Sequence, residues 1–480
     1  MDYFLLKFNL TAIMKKLFSY LIIAFVITTA CKKEKTADTI TADTSLSTDS
    51  ITAIAKEAWI YGYPMFYNYK TIYANAVNKD AKEFIGGFNK FKSVAVSATP
   101  ADTLVVTINN DTPYSMAAIN VSDEPVILEV PKMELDRYYV MQLVDLYTFN
   151  FEYVGSRATG NQPGKYLIAG PEWKGTAPKG ITKVLKSETS LIFVVGRTQL
   201  HNPKDAVNLK RIQVQYKLIP LHEYENQAAP AEKKYNLPLP VWNEADYSSP
   251  KFINVLNSLL QYTTEDSSEK TLRARFAKIG IQPGVTYDSS KYPPETIKAI
   301  EKGIAQGKKE LESKIDNLTD SGSLFGTRAS LRNNYLNRAI AAAAGLYGNT
   351  KEEAVYTGSS TDKDNQPLMG SNRYILRFSK DQLPEAKYFW SITMYNLPKR
   401  FLVSNPISRY SIGNKTDGVK YEPNGDLVFY LQGDSPGKSR ESNWLPTPKS
   451  GRFMFVMRIY GPEPDVINNV WKMPLAEKVK

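Results

Sequence analysis

The run Asn109-Asn110-Asp111-Thr112-Pro113-Tyr114-Ser115 gathers a carboxylate, two amides, a phenol and two hydroxyls, the groups that hold a sugar or another polar organic ligand. It follows an apolar stretch, Thr103 to Ile108, that predicts a strand, and loops at the ends of rigid sandwiches are where binding groups are usually mounted. Asp145, Asn150 and Arg157 follow a second predicted strand, Tyr138 to Val144, and meet Asp111 at one sheet end if the two strands are neighbours. Asp111 and Asp145 would then serve as acid and base on a glycosidic bond, which requires carboxylates about 5 to 9 Å apart. In the second half Arg409 and the pair Asn443-Trp444 occupy similar loops and add a guanidinium, an amide and an aromatic face. With Asn110 and Tyr114 these are the candidate ligand-binding residues. The competing reading is structural, because Asn and Asp hold turns in every sandwich and Arg–carboxylate pairs tie loops together.

Other chemistries are poorly supplied. His201 and His222 are the only histidines and Cys31 the only cysteine, so a zinc or iron site lacks ligands and a Ser-His-Asp triad has little to draw on. Both histidines are expected to be structural or exposed, and no metal site is expected. The chain has no Gly-x-Ser-x-Gly elbow, no Walker sequence and no Gly-x-Gly-x-x-Gly between strand and helix, so no cofactor is expected either. Asp362 to Gln366 resembles the start of a calcium loop. Pro367 stands where the loop needs Gly and Arg373 where it needs a bidentate Glu, which favours a plain turn.

The N-terminus reads as an export signal starting at Met14: Lys15-Lys16, the apolar run Leu17 to Ile27, then Thr28-Thr29-Ala30-Cys31. The run is too short to span a bilayer. Small residues leading into a lone Cys are what a lipoprotein peptidase reads, so Cys31 is the expected lipidation site and residues 1–30 the signal peptide. The mature chain would then have no free thiol. Lys32 to Ser50 is polar and reads as a flexible tether of the anchored chain. The expected location is the cell envelope, lipid-anchored in the outer membrane and facing the periplasm. A formal charge of +11 is spread among acidic residues with no Arg-rich helix, which argues against nucleic acid as a partner.

The texture of the remaining chain changes twice. Residues 51–237 begin with an amphipathic helix, Ile51, Ile54, Ala55, Ala58 and Trp59, that Gly62 and Pro64 should stop. Short β-branched and aromatic runs follow: Thr103–Ile108, Val126–Val130, Tyr138–Val144, Lys165–Ala169, Leu191–Val195 and Ile212–Leu218. Residues 238–345 carry four helical stripes that read as a connector. From 346 to 480 the β texture returns in Tyr374–Phe378, Phe389–Met394, Phe401–Ser404, Leu427–Leu431 and Phe453–Tyr460. The two β regions echo each other: helix then Ile60-Tyr61-Gly62 against helix then Leu346-Tyr347-Gly348, and a strand running into Gly170-Pro171 against one running into Gly461-Pro462. The expected fold is mainly β with a helical insertion (α+β), two tandem jelly-roll-like antiparallel β-sandwiches.

At these residues the chain resembles the paired domain-of-unknown-function families numbered 1254, in its first half, and 1214, in its second. The first resemblance rests on Tyr61-Gly62-Tyr63-Pro64, Asn110 to Ser115, Asp145-Leu146-Tyr147, Tyr153 to Arg157 and Gly196-Arg197. The second rests on Phe389-Trp390-Ser391, Met394-Tyr395, Asn405-Pro406, Arg409 to Gly413, Asn443 to Pro446 and Arg458 to Pro462. The resemblance implies tandem jelly-roll-like domains, akin to the double jelly roll of some large-virus capsid proteins, and an exported or envelope location. It implies no established reaction. Pro113 replaces the Leu of the family pattern and stiffens the loop without removing a candidate side chain. Together these readings predict an envelope-anchored binding or scaffold protein for a glycan or another small polar ligand, able to form homo-oligomers through Tyr-rich sandwich faces. A carbohydrate-active hydrolase or lyase is the alternative.

Overall fold

The structure is a computed structural model that describes residues 46–103, 107–316 and 322–479, so Cys31 and the tether up to Ser45 lie outside the described residues. Helix α1 (Thr48–Ile72) opens it, capped by Ser47, whose hydroxyl accepts from the Ser50 amide at 3.2 Å. The predicted apolar stripe is buried, but the helix runs straight through Gly62 and Pro64. Packing overrides propensity here. Pro64 is buried, and the bare Gly62 lets Phe66 and Leu256 close in to within 3.4 Å of where a Cβ would sit.

Among the described residues the first half supplies β1 (Lys92–Ser93), β2 (Tyr114–Asn120), β3 (Val126–Val130), β4 (Tyr139–Asp145), β5 (Asn150–Gly155), β6 (Gly164–Ala169), β7 (Lys183–Lys186), β8 (Leu191–Thr198) and β9 (Lys217–Pro220). Helix α2 (Ala206–Gln213) precedes β9, and α3 (Phe252–Leu260), α4 (Lys270–Ala277), α5 (Pro294–Asp316) and α6 (Tyr335–Gly345) follow it. The second half supplies β10 (Ala354–Ser359), β11 (Tyr374–Phe378), β12 (Ala386–Asn396), β13 (Ser411–Gly413), β14 (Leu427–Gln432), β15 (Trp444–Pro446), β16 (Phe453–Pro462) and β17 (Glu477–Lys478). Two predicted strands are corrected: Ile212–Leu218 divides between the end of α2 and the start of β9, and Phe401–Ser404 lies in the loop after β12. Of the predicted strand Thr103–Ile108, residues 104–106 lie outside the described residues, and residues 107 and 108 are not in a strand. Apolar runs this short do not by themselves distinguish strand from loop or helix.

The sheets run β1-β2-β8-β4-β5 and β7-β6-β3-β9 in the first half, β10-β16-β12-β13 and β15-β14-β11-β17 in the second. Adding eight to each strand number from β2 to β9 turns one sandwich into the other. Even the parallel pairs correspond, β6 with β7 and β14 with β15, against antiparallel neighbours elsewhere. The inward faces form two cores, around Met141, Ile168 and Val194 in one sandwich and Ile392, Phe429 and Met457 in the other. The outward face of β2-β8-β4-β5 is also buried. Ala118, Leu191, Phe193 and Val195 pack beneath a layer made of α1 and α3 to α6, so the helical segment is a third layer and more than a connector. Further along that face Tyr138, Val140 and Tyr153 meet Ala354, Phe389 and Tyr460 of the second sandwich.

Strand register makes the repeat residue-specific. Arg197 pairs with Tyr114 and Val140, and Arg458 with Tyr356 and Ser391, so Arg197 corresponds to Arg458 and Tyr114 to Tyr356. Both arginines are buried and point out of their own sandwich into the other half. Arg197 donates to the Gln142 side chain at 2.6 Å and to the carbonyl of Tyr347 at 2.9 Å. Arg458 donates to the Thr393 hydroxyl at 3.0 Å and to the carbonyl of Thr107 at 2.8 Å. Tyr347 lies just before β10 and Thr107 just before β2, and both have positive φ, 68° and 52°. Each half thus holds the entry segment of its counterpart through charged hydrogen bonds from one arginine.

The same correspondence settles the role of Asp145. Its Oδ1 accepts from the Phe149 amide at 2.8 Å across the β4–β5 turn, and Asn396 accepts from the Phe401 amide at 3.1 Å across the β12–β13 turn. An amide does in one repeat what a carboxylate does in the other, so the position serves the turn. Tyr114, three residues beyond Asp111, is level with Val140, whereas Asp145 is level with Ile192 and Ile119. Asp111 and Asp145 therefore sit at opposite ends of the sheet, roughly 25 Å apart at about 3.3 Å per residue. The expected acid–base pair is not assembled.

Asp145 is fully buried, and its pKa is pushed up to about 8 by burial and then by Glu188, against the Phe149 N–H and the charges of Arg328 and Arg338. An unfolded Asp ionises near 3.9. Between about pH 4 and pH 8 the folded chain holds a proton that the unfolded chain lacks, so this group makes stability fall as pH rises through that window. Asp145→Asn keeps the turn acceptor and removes the slope. Its melting temperature relative to the parent rises by a few degrees between pH 5 and pH 8; a constant difference would refute the assignment. For the arginine latch, Arg197→Met strands two buried acceptors at about 1 to 3 kcal/mol each, so urea unfolding is expected to show a loss of at least about 2 kcal/mol.

Candidate functional site

Where the loop before β2 meets β12 and β13, the two sandwiches leave a cleft of about 510 Å³. The first half contributes Val96 to Thr99, Asn110, Asp111 and Gln199 to Pro203; the second contributes Phe389 to Ser391, Ile407 to Ser411 and Lys415 to Asp417. Asp111 is the buried carboxylate of this lining, 9% exposed. Its amide donates to Asn109 Oδ1 at 2.7 Å, Asn109 Nδ2 donates to the Thr112 hydroxyl at 2.6 Å, and its carbonyl accepts from Leu200 N at 3.1 Å, which together fix the loop. Asp111 Oδ2 accepts from the Ser391 hydroxyl at 2.6 Å and from the Tyr460 hydroxyl at 3.2 Å. Burial, and then the charge of Asp111, holds the Tyr460 hydroxyl protonated far above the usual tyrosine range. Both donors belong to the second half. Asp111 Oδ1 accepts no hydrogen bond from the described residues.

Asn110 is the second predicted residue in the cleft. It donates to the carbonyl of Ala98 at 2.6 Å and accepts from the Ser411 hydroxyl at 3.2 Å, again across the junction. Arg409 lines the cleft too, but its Nη1 is spent on three carbonyls, Glu441 at 2.8 Å, Trp444 at 2.9 Å and Ser442 at 3.2 Å. Burial pulls its guanidinium below the usual arginine range. It shapes the wall more than it offers charge.

The other candidates lie elsewhere and are spoken for. Tyr114 is half-buried, with its ring 5.6 Å from the Arg197 guanidinium. Asn150 is buried, accepting from Gln142 at 2.9 Å and donating to the carbonyl of Gly348 at 3.0 Å. Arg157 forms an ion pair with Glu353 across the junction at 2.5 Å. Asn443 clasps Lys420 N and O at 2.8 and 2.7 Å, and the Trp444 indole donates to Gln432 O at 2.8 Å, so that pair braces the β14–β15 region and presents no face to a sugar. Asp362 folds a turn by accepting from the Asp364 and Gln366 amides at 3.0 and 2.9 Å.

Sequence reasoning missed His201, Ser391, Ser411, Lys415 and Asp417, all on the cleft. Ser391 and Ser411 fall in segments that carry the family resemblance, and His201, Lys415 and Asp417 in none; only the alignment of the two repeats in space brings them together. His222 lies away from the cleft, 2.5 Å from Glu124. Among the described residues no group of three His, Cys, Asp or Glu is placed to hold a metal, and no helix is long and apolar enough to cross a membrane.

The architecture is shared with one solved structure. The crystal structure of the VPA0106 protein from Vibrio parahaemolyticus superposes with a TM-score of 0.75 at 27% identity, covering 90% of this chain and 100% of that one. An uncharacterised protein from Burkholderia cenocepacia matches with a TM-score of 0.42 at 11% identity over 90% of this chain and 95% of its own. No curated protein matches. Residues 88–220 match the model of DUF1254 and residues 353–464 that of DUF1214, each a protein of unknown function, and they cover the first and second sandwiches. The chain therefore carries a DUF1254 match in its first half and a DUF1214 match in its second.

Proposed function

We propose that the protein binds a small polar ligand, such as a glycan fragment, in the cleft between its two sandwiches, and does so at the cell envelope, anchored in the outer membrane through lipidated Cys31. The observation that carries the reading is Asp111: a buried carboxylate in the lining of a 510 Å³ cleft, with one oxygen bonded across the junction and the other accepting no hydrogen bond from the described residues. Burying a carboxylate is costly unless its oxygens are satisfied, and a ligand donor at the open oxygen completes the set. Serines, amides and the aromatic ring of Tyr410 around it match a ligand with several hydroxyl or amino groups.

The alternative, a carbohydrate-active hydrolase or lyase, loses Asp145 as a partner and keeps one observation in its favour: Asp417, on the rim of the same cleft, is a second carboxylate. Turnover abolished by Asp417→Asn with binding intact would favour it.

Two measurements test the proposal. A thermal-shift screen of the full chain against oligosaccharides, amino acids and amines should find a ligand that stabilises by about 2.7 kcal/mol at a hundred times its dissociation constant, and Asp111→Asn should abolish that shift. No shift with any of these, in a folded parent, sinks the binding reading. Metabolic labelling with palmitate should mark the membrane-bound parent and leave Cys31→Ser unlabelled; equal membrane retention of the two would sink the anchor.

A further inference from the structure

The cleft has a twin, and the twin is closed. Glu353 lies three residues before Tyr356 as Asp111 lies three before Tyr114, and its carbonyl accepts from Gly461 N at 3.0 Å as that of Asp111 accepts from Leu200 N at 3.1 Å. On the facing sandwich Gly155 pairs with Val140 as Gly413 pairs with Ser391. The residue after each glycine caps an equivalent amide: Ser156 accepts from Tyr139 N at 3.0 Å and Asn414 from Trp390 N at 2.9 Å. Arg157 therefore corresponds to Lys415, and Tyr138 to Phe389.

At the closed copy Glu353 is saturated by these two residues. The Tyr138 hydroxyl donates to Oε1 at 2.8 Å and Arg157 Nε to Oε2 at 2.5 Å, and Glu353 is 1% exposed. At the open copy each part is shortened or stripped: Glu becomes Asp111, Arg becomes the exposed Lys415, and Tyr becomes Phe389 with no hydroxyl. Ser391 and Tyr460 satisfy one oxygen of Asp111, the charge of the buried Arg458 also acts on it, and Asp111 and Lys415 both line the cleft.

We infer that this cleft takes a ligand carrying a cationic nitrogen donor, a guanidinium or a primary ammonium, seated on Asp111 Oδ1 where the other repeat seats Arg157 on Glu353. The inference rests on the cleft being a ligand site and names the group it recognises. A charged N–H donor to a buried carboxylate is stronger than a neutral one, and Phe389 and Trp390 line the same cleft as aromatic, water-excluding surface.

The test uses the full chain with agmatine, which has a guanidinium at one end and an ammonium at the other, and 1,5-pentanediol as a neutral probe of similar reach. Calorimetric titration should show agmatine binding that weakens at least tenfold in Asp111→Asn and falls with added salt, with no pentanediol binding. The double variant Asp111→Glu/Lys415→Arg rebuilds the closed pair and should melt higher and no longer bind agmatine. Phe389→Tyr, which restores only the hydroxyl, should weaken agmatine several-fold in a fully folded protein and serves if Asp111→Asn does not fold. Binding of pentanediol or an oligosaccharide that depends on Asp111, with agmatine silent, overturns the cationic assignment and leaves the ligand cleft standing. Agmatine binding unchanged in all three variants overturns the assignment as well. No binding by any probe, with a double variant no more stable than the parent, overturns both.

Discussion

Everything about this molecule turns on two outward sheet faces being buried against each other. A sandwich normally hides its inner faces and wets its outer ones, so placing two outer faces together requires that their polar groups be answered across the joint. Arg197 and Arg458 do that. Each reaches a backbone carbonyl in the segment that feeds the opposite sandwich, and each also bonds a side chain on the adjacent strand of its own sheet. Tyr138, Phe389 and Tyr460 supply the apolar contact around them, with Phe389 and Tyr460 stacked at 4.3 Å.

Because the two halves follow the same strand order, the joint has approximate two-fold character, and small differences between equivalent residues decide what each end of it becomes. One end carries Glu353, Arg157 and Tyr138 and is sealed. The other carries Asp111, Lys415 and Phe389 and is open. A methylene fewer on the acid, a flexible ammonium in place of a planar guanidinium and a missing hydroxyl are enough, since a buried ion pair needs both reach and geometry to close. Duplication of a fold thus yields one structural tie and one site from the same plan.

The helical layer breaks the symmetry at larger scale. It covers the far part of the first sandwich's outer face, and its close contact between α1 and α5 depends on Gly303, where a Cβ would lie 2.5 Å from the Thr52 carbonyl. Its polar interior, with Glu269 accepting from Tyr61 and Arg328 at 2.9 Å each, ties the layer together beneath the β4–β5 turn that Asp145 holds.

Local pattern decided much of this fold in advance. Alternation and β-branched runs placed Val126–Val130 and Tyr374–Phe378 to the residue, the helical stripes from Phe252 to Ala343 were readable from spacing, and the echo between the halves was visible as ordered short matches. These features are written within a few residues of one another. The site was only half legible. Asn110 and Asp111 stood out because loop amides and carboxylates cluster there, but Asp145 looked like their partner since sequence says nothing of which end of a sheet a strand presents. Phe389 and Ser391 stand in a resemblance motif and Lys415 in none, but nothing marks any of them as a site residue until strand register sets them beside Asp111 and opposite Glu353. Chain order determines which groups exist and which elements bear them; the meeting of two outer faces, hundreds of residues apart in the chain, determines which groups face one another.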